Sequence, residues 1–147
     1  MSDKEVHDFW QHHSEKFLEM ALRTDRMESL AHADGHGMKK GSCGDTVEFF
    51  VVTDPDGAIQ RVAFQVQGCL NTVACANTVC ELMEGKFLED AWDLTPEQVV
   101  EYLETLPKHE HHCAELAVGA FYLAIADVHR KKKEPWKKIY GRSDESH

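Results

Sequence analysis

Cys43, with Asp45 two residues on, and Cys113, directly after His112, set thiols beside a carboxylate and an imidazole, and Cys69 follows a glycine, Gly68. Thiolate and imidazole together suit zinc or iron–sulfur chemistry. The other two of the five cysteines are Cys75 and Cys80, and no C-x-x-C pair occurs, which argues against a zinc ribbon or finger. In a reducing cytosol such thiols read as metal ligands, nucleophiles or core residues rather than bridges. His109-Glu110-His111-His112 opens like the zinc-hydrolase pattern H-E-x-x-H, but its fifth position is Cys113, so the second histidine ligand is missing. Cys113 and His112 make a poor nucleophile–base pair, because neighbours on a helix diverge by about 100°. Two metal ligands can still converge where a helix start frays. His109 and His111 read as solvated or as neighbours that tune the site. His36 reads as exposed, with a spare ligand on a flexible loop as the sharper alternative.

The elements that must position these groups follow from periodicity. His7 to about Glu28 reads as a helix, with Phe9, Trp10, His13, Phe17, Met20, Ala21 and Met27 at three- and four-residue steps. Ala33 to Gly44 reads as a glycine-rich loop. Thr46–Thr53 and Ala58–Gln67 read as strands joined by the turn Asp54-Pro55-Asp56-Gly57, a hairpin. A helix is expected from Leu70 to about Glu84, ended by Gly85. Thr95-Pro96-Glu97 opens a short helix that stops near Leu106-Pro107. The last helix runs from about His111 to Lys132, with Ala114, Ala117, Val118, Phe121, Ile125 and Val128 as its buried stripe. Phe121, Tyr122 and Ile125 read as core rather than as a cofactor box.

The hairpin is antiparallel, so the entry of one strand lies beside the exit of the other. Cys43 and Cys69 therefore meet at one end of the sheet. If the last helix starts at that end, Cys43, Asp45, Cys69, His112 and Cys113 form one site. Cys75 and Cys80 do not join it. Along a helix, Cys80 is roughly 16 Å from Cys69, and Cys75 is about 9 Å on and some 120° around. Both read as small buried hydrophobes.

The chain has 147 residues, 42% hydrophobic and 29% charged, the composition of one globular domain. Its formal charge is −10, a balance that repels nucleic-acid phosphate unless the bases are segregated. They are segregated only at the end, where residues 128–147 carry seven bases and three acids against −14 for residues 1–127. No apolar run approaches the ~18–20 residues of a membrane span, and Met1 to His13 is too polar for a signal peptide. Residues 1–133 are expected to form one domain and residues 134–147 a mobile basic tail. A soluble cytoplasmic protein with segregated α+β elements is the expectation.

Gly41-Ser42-Cys43-Gly44-Asp45, Gly68-Cys69-Leu70-Asn71-Thr72-Val73-Ala74, Leu106-Pro107 and His112-Cys113-Ala114-Glu115-Leu116-Ala117 resemble the IscU/NifU-type iron–sulfur cluster scaffold family. Ala124-Ile125-Ala126-Asp127 is similar to its last helix, and Ser14-Glu15-Lys16 falls where its first helix begins. The resemblance implies an α+β fold of the SufE/NifU-like kind, a small antiparallel sheet packed against several helices with the metal site at the sheet tip. It implies Cys43, Cys69, His112 and Cys113 as ligands of a labile [2Fe–2S] cluster, of iron, or of zinc in the resting protein. Asp45 matches the aspartate that ligates the metal or makes the cluster releasable. The same three cysteines are the candidate acceptors of sulfur from a cysteine desulfurase. The implied role is that of a scaffold rather than an enzyme, passing clusters to apoproteins, with no nucleic-acid or membrane partner and a homodimer left open. A zinc-dependent sulfur acceptor of the same fold, also partnered with a desulfurase, is the alternative. His112 and the uninterrupted Cys43–Cys69 interval argue against it. A zinc-stabilised interaction domain would show neither activity.

Two departures stand out. Arg23-Thr24-Asp25-Arg26 occupies the place of the family's asparagine–proline–arginine turn, and Lys108-His109-Glu110 replaces its proline–valine–lysine stretch, so that a lysine has become an acid. In IscU-type scaffolds a chaperone grips that stretch, and the reversed charge implies transfer without it.

Overall fold

A computed structural model describes residues 13–133, which begin with helix α1 (Glu15–Leu22), capped by the Ser14 side chain on the Phe17 N–H. The expected helix ran to Glu28, but α1 stops at Leu22. Asn77 is the reason: its buried amide donates to the carbonyls of Met20 at 2.7 Å and Arg23 at 2.9 Å, taking the acceptors a further helical turn would use. The His7–His12 part of the expected helix and the basic tail lie outside the described residues.

The sheet has three strands rather than two. β1 (Gly35–Lys40), β2 (Thr46–Thr53) and β3 (Ile59–Gln67) form an antiparallel sheet in the order β1-β2-β3. β2 and β3 fall where alternation and β-branching put them. β1 corrects the expected loop. Its register pairs Gly35 with Val51, Gly37 with Phe49 and Lys39 with Val47, so its glycines lie on the face that carries the core valines and phenylalanines. That face lies against the long last helix. A Cβ on Gly37 would come within 2.3 Å of the Ala124 nitrogen and 2.6 Å of the Ala120 carbonyl oxygen. Glycine is there for close approach, not for a turn.

After β3 come α2 (Leu70–Met83), a 3₁₀ segment (Leu88–Asp93), α3 (Pro96–Leu103), a short 3₁₀ turn (Lys108–Glu110) and α4 (His111–Lys133). α2 packs on α1, α3, α4 and β3. It is buried nearly all round, and it ends before Gly85 at φ +89°. α3 has the expected cap, with Thr95 and Gln98 bonding each other's backbone N–H. It stops at Leu103, sooner than expected, because Ser14 and Thr105 clasp its end to the start of α1. α4 starts and ends as expected, with Ala114, Ala117, Val118, Phe121, Ile125 and Val128 all buried. Phe121 meets Phe49 edge-on at 5.8 Å in the centre of the core. Among the described residues, no helix is long and apolar enough to cross a membrane.

Candidate metal centre

Three junctions converge at one end of the sheet. The β1–β2 turn is closed by Gly41 N–H to the Asp45 carbonyl (2.8 Å) and Gly44 N–H to the Gly41 carbonyl (3.0 Å), with Gly44 at φ +93°. The turn delivers Asp45 beside the β3–α2 junction, where Thr46 pairs with Gln67 as the last rung of the ladder. Asp45 leans over Gly68, and a Cβ there would fall 2.4–2.9 Å from its side-chain atoms. Only a glycine before Cys69 admits the carboxylate.

Asp45, Cys69 and Cys113 bring their ligand atoms within 4.8 Å of one another. The Cys69 sulfur lies 3.6 Å from Asp45 Oδ2 and its backbone N–H 3.4 Å from the same oxygen, at the start of α2, where the helix dipole favours anions. A second group, Glu110, His112 and Cys113, meets the same distance limit and shares the Cys113 sulfur. So the neighbours His112 and Cys113 do converge at the start of α4, with Nε2 3.7 Å from Sγ. Cys43 is exposed on its turn and its sulfur joins neither group. It sits 3.5 Å from where a Cβ on Gly41 would stand.

Thr72 and Glu110 are the residues that sequence reasoning missed. Fully buried Thr72 donates to Asp45 Oδ2 at 2.6 Å, and the same hydroxyl oxygen lies 3.3 Å from the Cys113 sulfur and 3.6 Å from the Cys69 sulfur. Each missed residue stands three positions from a candidate ligand cysteine, one helical turn away, and that spacing is the signal that could have found them. The Thr72 hydroxyl holds the Asp45 carboxyl below the usual carboxylate range, against partial burial, and the Cys69 N–H and thiol add to the effect. Burial pushes the Cys113 thiol up to about 12, opposed by the Thr72 hydroxyl.

Cys75 and Cys80 are fully buried in the core, burial drives both thiols upward, and neither belongs to a ligand group among the described residues. His36 stands on β1 rather than on a loop, half-exposed and paired across the sheet with Glu48. His109 is 80% exposed, as expected of a solvated side chain. The donor set of thiols, imidazole and carboxylates suits zinc and iron.

Comparison with known proteins places this architecture. Residues 23–135 match the NifU-like N terminal domain family, and the chain belongs to that family. It is 32% identical over 120 residues to the iron-sulfur cluster assembly scaffold protein IscU 1 of Archaeoglobus fulgidus, covering 81% of this chain and 78% of that one. To the iron-sulfur cluster assembly scaffold protein IscU of Haemophilus influenzae it is 33% identical over 124 residues, covering 82% of this chain and 98% of that one. The fold is similar to the crystal structure of a nitrogen-fixing NifU-like protein (N-terminal) from Brucella abortus. The TM-score is 0.65 at 18% identity, over 86% of this chain and 98% of that one.

Proposed function

We propose that this protein is an iron–sulfur cluster assembly scaffold: it receives iron and desulfurase-derived sulfide, holds a transient [2Fe–2S] cluster and passes it to apoproteins in the cytoplasm. The observation that carries this reading is the convergence of Asp45, Cys69 and Cys113 at an open edge of the sheet, with Thr72 gripping the carboxylate. Thiolates hold iron strongly, while a hard oxygen ligand exchanges readily. Asp45 therefore serves as the releasable arm of the site and Cys69 and Cys113 as its anchors. Cys43, on an exposed turn anchored beside Asp45, is free of neighbouring ligands and can swing in as the third thiolate, with His112 as the nitrogen ligand. The sequence matches to scaffold proteins support the same reading and favour a carrier over an enzyme.

Anaerobic reconstitution with ferrous iron and sulfide, followed by visible spectra and iron and sulfide analysis, tests it. A bound [2Fe–2S] chromophore is expected, lost in Cys43→Ser, Cys69→Ser and Cys113→Ser, retained in Cys75→Ser, and slower to leave for an apo-acceptor in Asp45→Ala. A protein that binds zinc and accepts desulfurase sulfur, yet forms no chromophore, overturns the scaffold reading in favour of a sulfur acceptor.

A further inference from the structure

Glu110 stands where the resembled family carries a lysine, and it faces the site. Its Oε2 lies 3.3 Å from the Cys113 sulfur and 3.7 Å from His112 Nε2, and that nitrogen is 3.7 Å from the sulfur. A tetrahedral zinc bound by one sulfur, one nitrogen and one oxygen at ordinary bond lengths has ligand–ligand edges of about 3.3–3.6 Å. The triangle of Glu110, His112 and Cys113 is thus within about 0.4 Å of a metal-holding one on every edge.

The imidazole is also set for ligation. His112 Nδ1 lies 3.2 Å from the His109 carbonyl oxygen, which can only accept, so Nδ1 carries a hydrogen and Nε2 is the nitrogen left to meet a metal. A backbone carbonyl behind the far ring nitrogen is the usual outer support of a metal-bound histidine. Cys113 is buried, Glu110 is 23% exposed and His112 is 40% exposed. The triangle is therefore anchored on its protein side and open on the other, where a fourth ligand can enter.

We infer that Glu110, His112 and Cys113 form a divalent-metal position of their own, with Glu110 as a direct ligand, joined to the Asp45–Cys69 side of the site through the Cys113 sulfur. The ion it takes is of the borderline class to which zinc, cobalt(II) and ferrous iron belong. An ion can enter on the Glu110 side and move to the Asp45 side without Cys113 letting go. As a route for iron this rests on the scaffold reading; as a metal position it does not.

Cobalt(II) titration of the full chain tests it, read by the thiolate-to-cobalt charge-transfer band and the intensity of the ligand-field bands. In Glu110→Gln the first cobalt equivalent should bind about tenfold or more weakly, with less tetrahedral ligand-field intensity. Asp45→Asn should leave that first equivalent and its charge-transfer band in place. His112→Ala should match Glu110→Gln, and circular dichroism confirms that each variant is folded. Equal affinity and spectrum in Glu110→Gln, or loss of the first equivalent in Asp45→Asn, would overturn the inference. Failure to form a cluster while cobalt still depends on Glu110 would sink the scaffold reading alone; a cluster that forms while cobalt ignores Glu110 would sink this inference alone.

Discussion

Thr72 organises the candidate site without being able to ligate a soft metal strongly. Its hydroxyl fixes the Asp45 carboxylate and sits against two sulfurs, Cys69 one turn back on its own helix and Cys113 from the start of α4. Thr72→Val keeps the shape and removes the hydrogen bond, which should cost about 1–2 kcal/mol of stability. The same change should return the Asp45 carboxyl toward its ordinary range, read by NMR titration of the carboxylate. Thr72→Ser should restore both values, and an unmoved Asp45 in Thr72→Val would show that the hydroxyl has no such role. The metal-suited residues Asp45, Cys69, His112 and Cys113 were legible in the sequence, because three of the five cysteines fall at the edges of expected elements, two of them beside a carboxylate or an imidazole. Thr72 and Glu110 were not. A threonine inside a helix and a glutamate in a charged segment have many ordinary reasons to be there, and only the fold turns them toward the cysteines.

Between elements, the contact that matters most is the one the sequence hid. β1 contributes little side-chain volume; it lies almost backbone-to-backbone on α4, across Gly35, Gly37, Ala120 and Ala124. Gly37→Ala should therefore cost about 1–3 kcal/mol by overpacking, measured by denaturant unfolding. Gly44→Ala meets nothing within 4 Å and strains only its φ, at about 1 kcal/mol. Equal losses at both positions would contradict the close approach. Asp127 on α4 ties the same pair of elements, accepting the His36 N–H at 2.9 Å and pairing with Arg130 and Lys131. Burial opposes its ionisation, but these partners win and hold its carboxyl below the ordinary value of 3.8. A lowered carboxyl stabilises the fold above the unfolded value and loses that contribution as pH falls through the folded one. The stability gap between the native chain and Asp127→Asn, measured by urea unfolding, should thus shrink as pH drops from 5 toward 3. A constant gap would remove the ion pairs from the account. β2, β3, α2 and α4 were legible because pattern and packing agree in them. β1 was not, since close approach demands glycine, and glycine in sequence reads as a loop.

On the scale of the whole molecule, Asp45, Cys69 and Cys113 come from a turn, a strand–helix junction and a helix start that are distant in sequence. The unfolded chain does not hold them together, so a metal held by them would be tied to folding of the entire domain. At a free zinc concentration of one hundred times the dissociation constant, linkage adds about 2.7 kcal/mol, which for a chain of this size raises Tm by roughly 10 °C. Calorimetry with and without zinc should show that shift as one cooperative transition, because the ligands span the sheet, α2 and α4 rather than a separable loop. Cys113→Ser, which removes the sulfur common to both groups, should lose most of it, and Cys75→Ser should keep it from a lower starting Tm. A zinc shift that survives removal of both Cys69 and Cys113 would place the metal elsewhere, on the exposed histidines for example. The charge of −10 works in the same direction at long range. Acidic surroundings raise the local concentration of divalent cations and repel phosphate, so the stabilisation should weaken as sodium chloride is raised from low to physiological ionic strength.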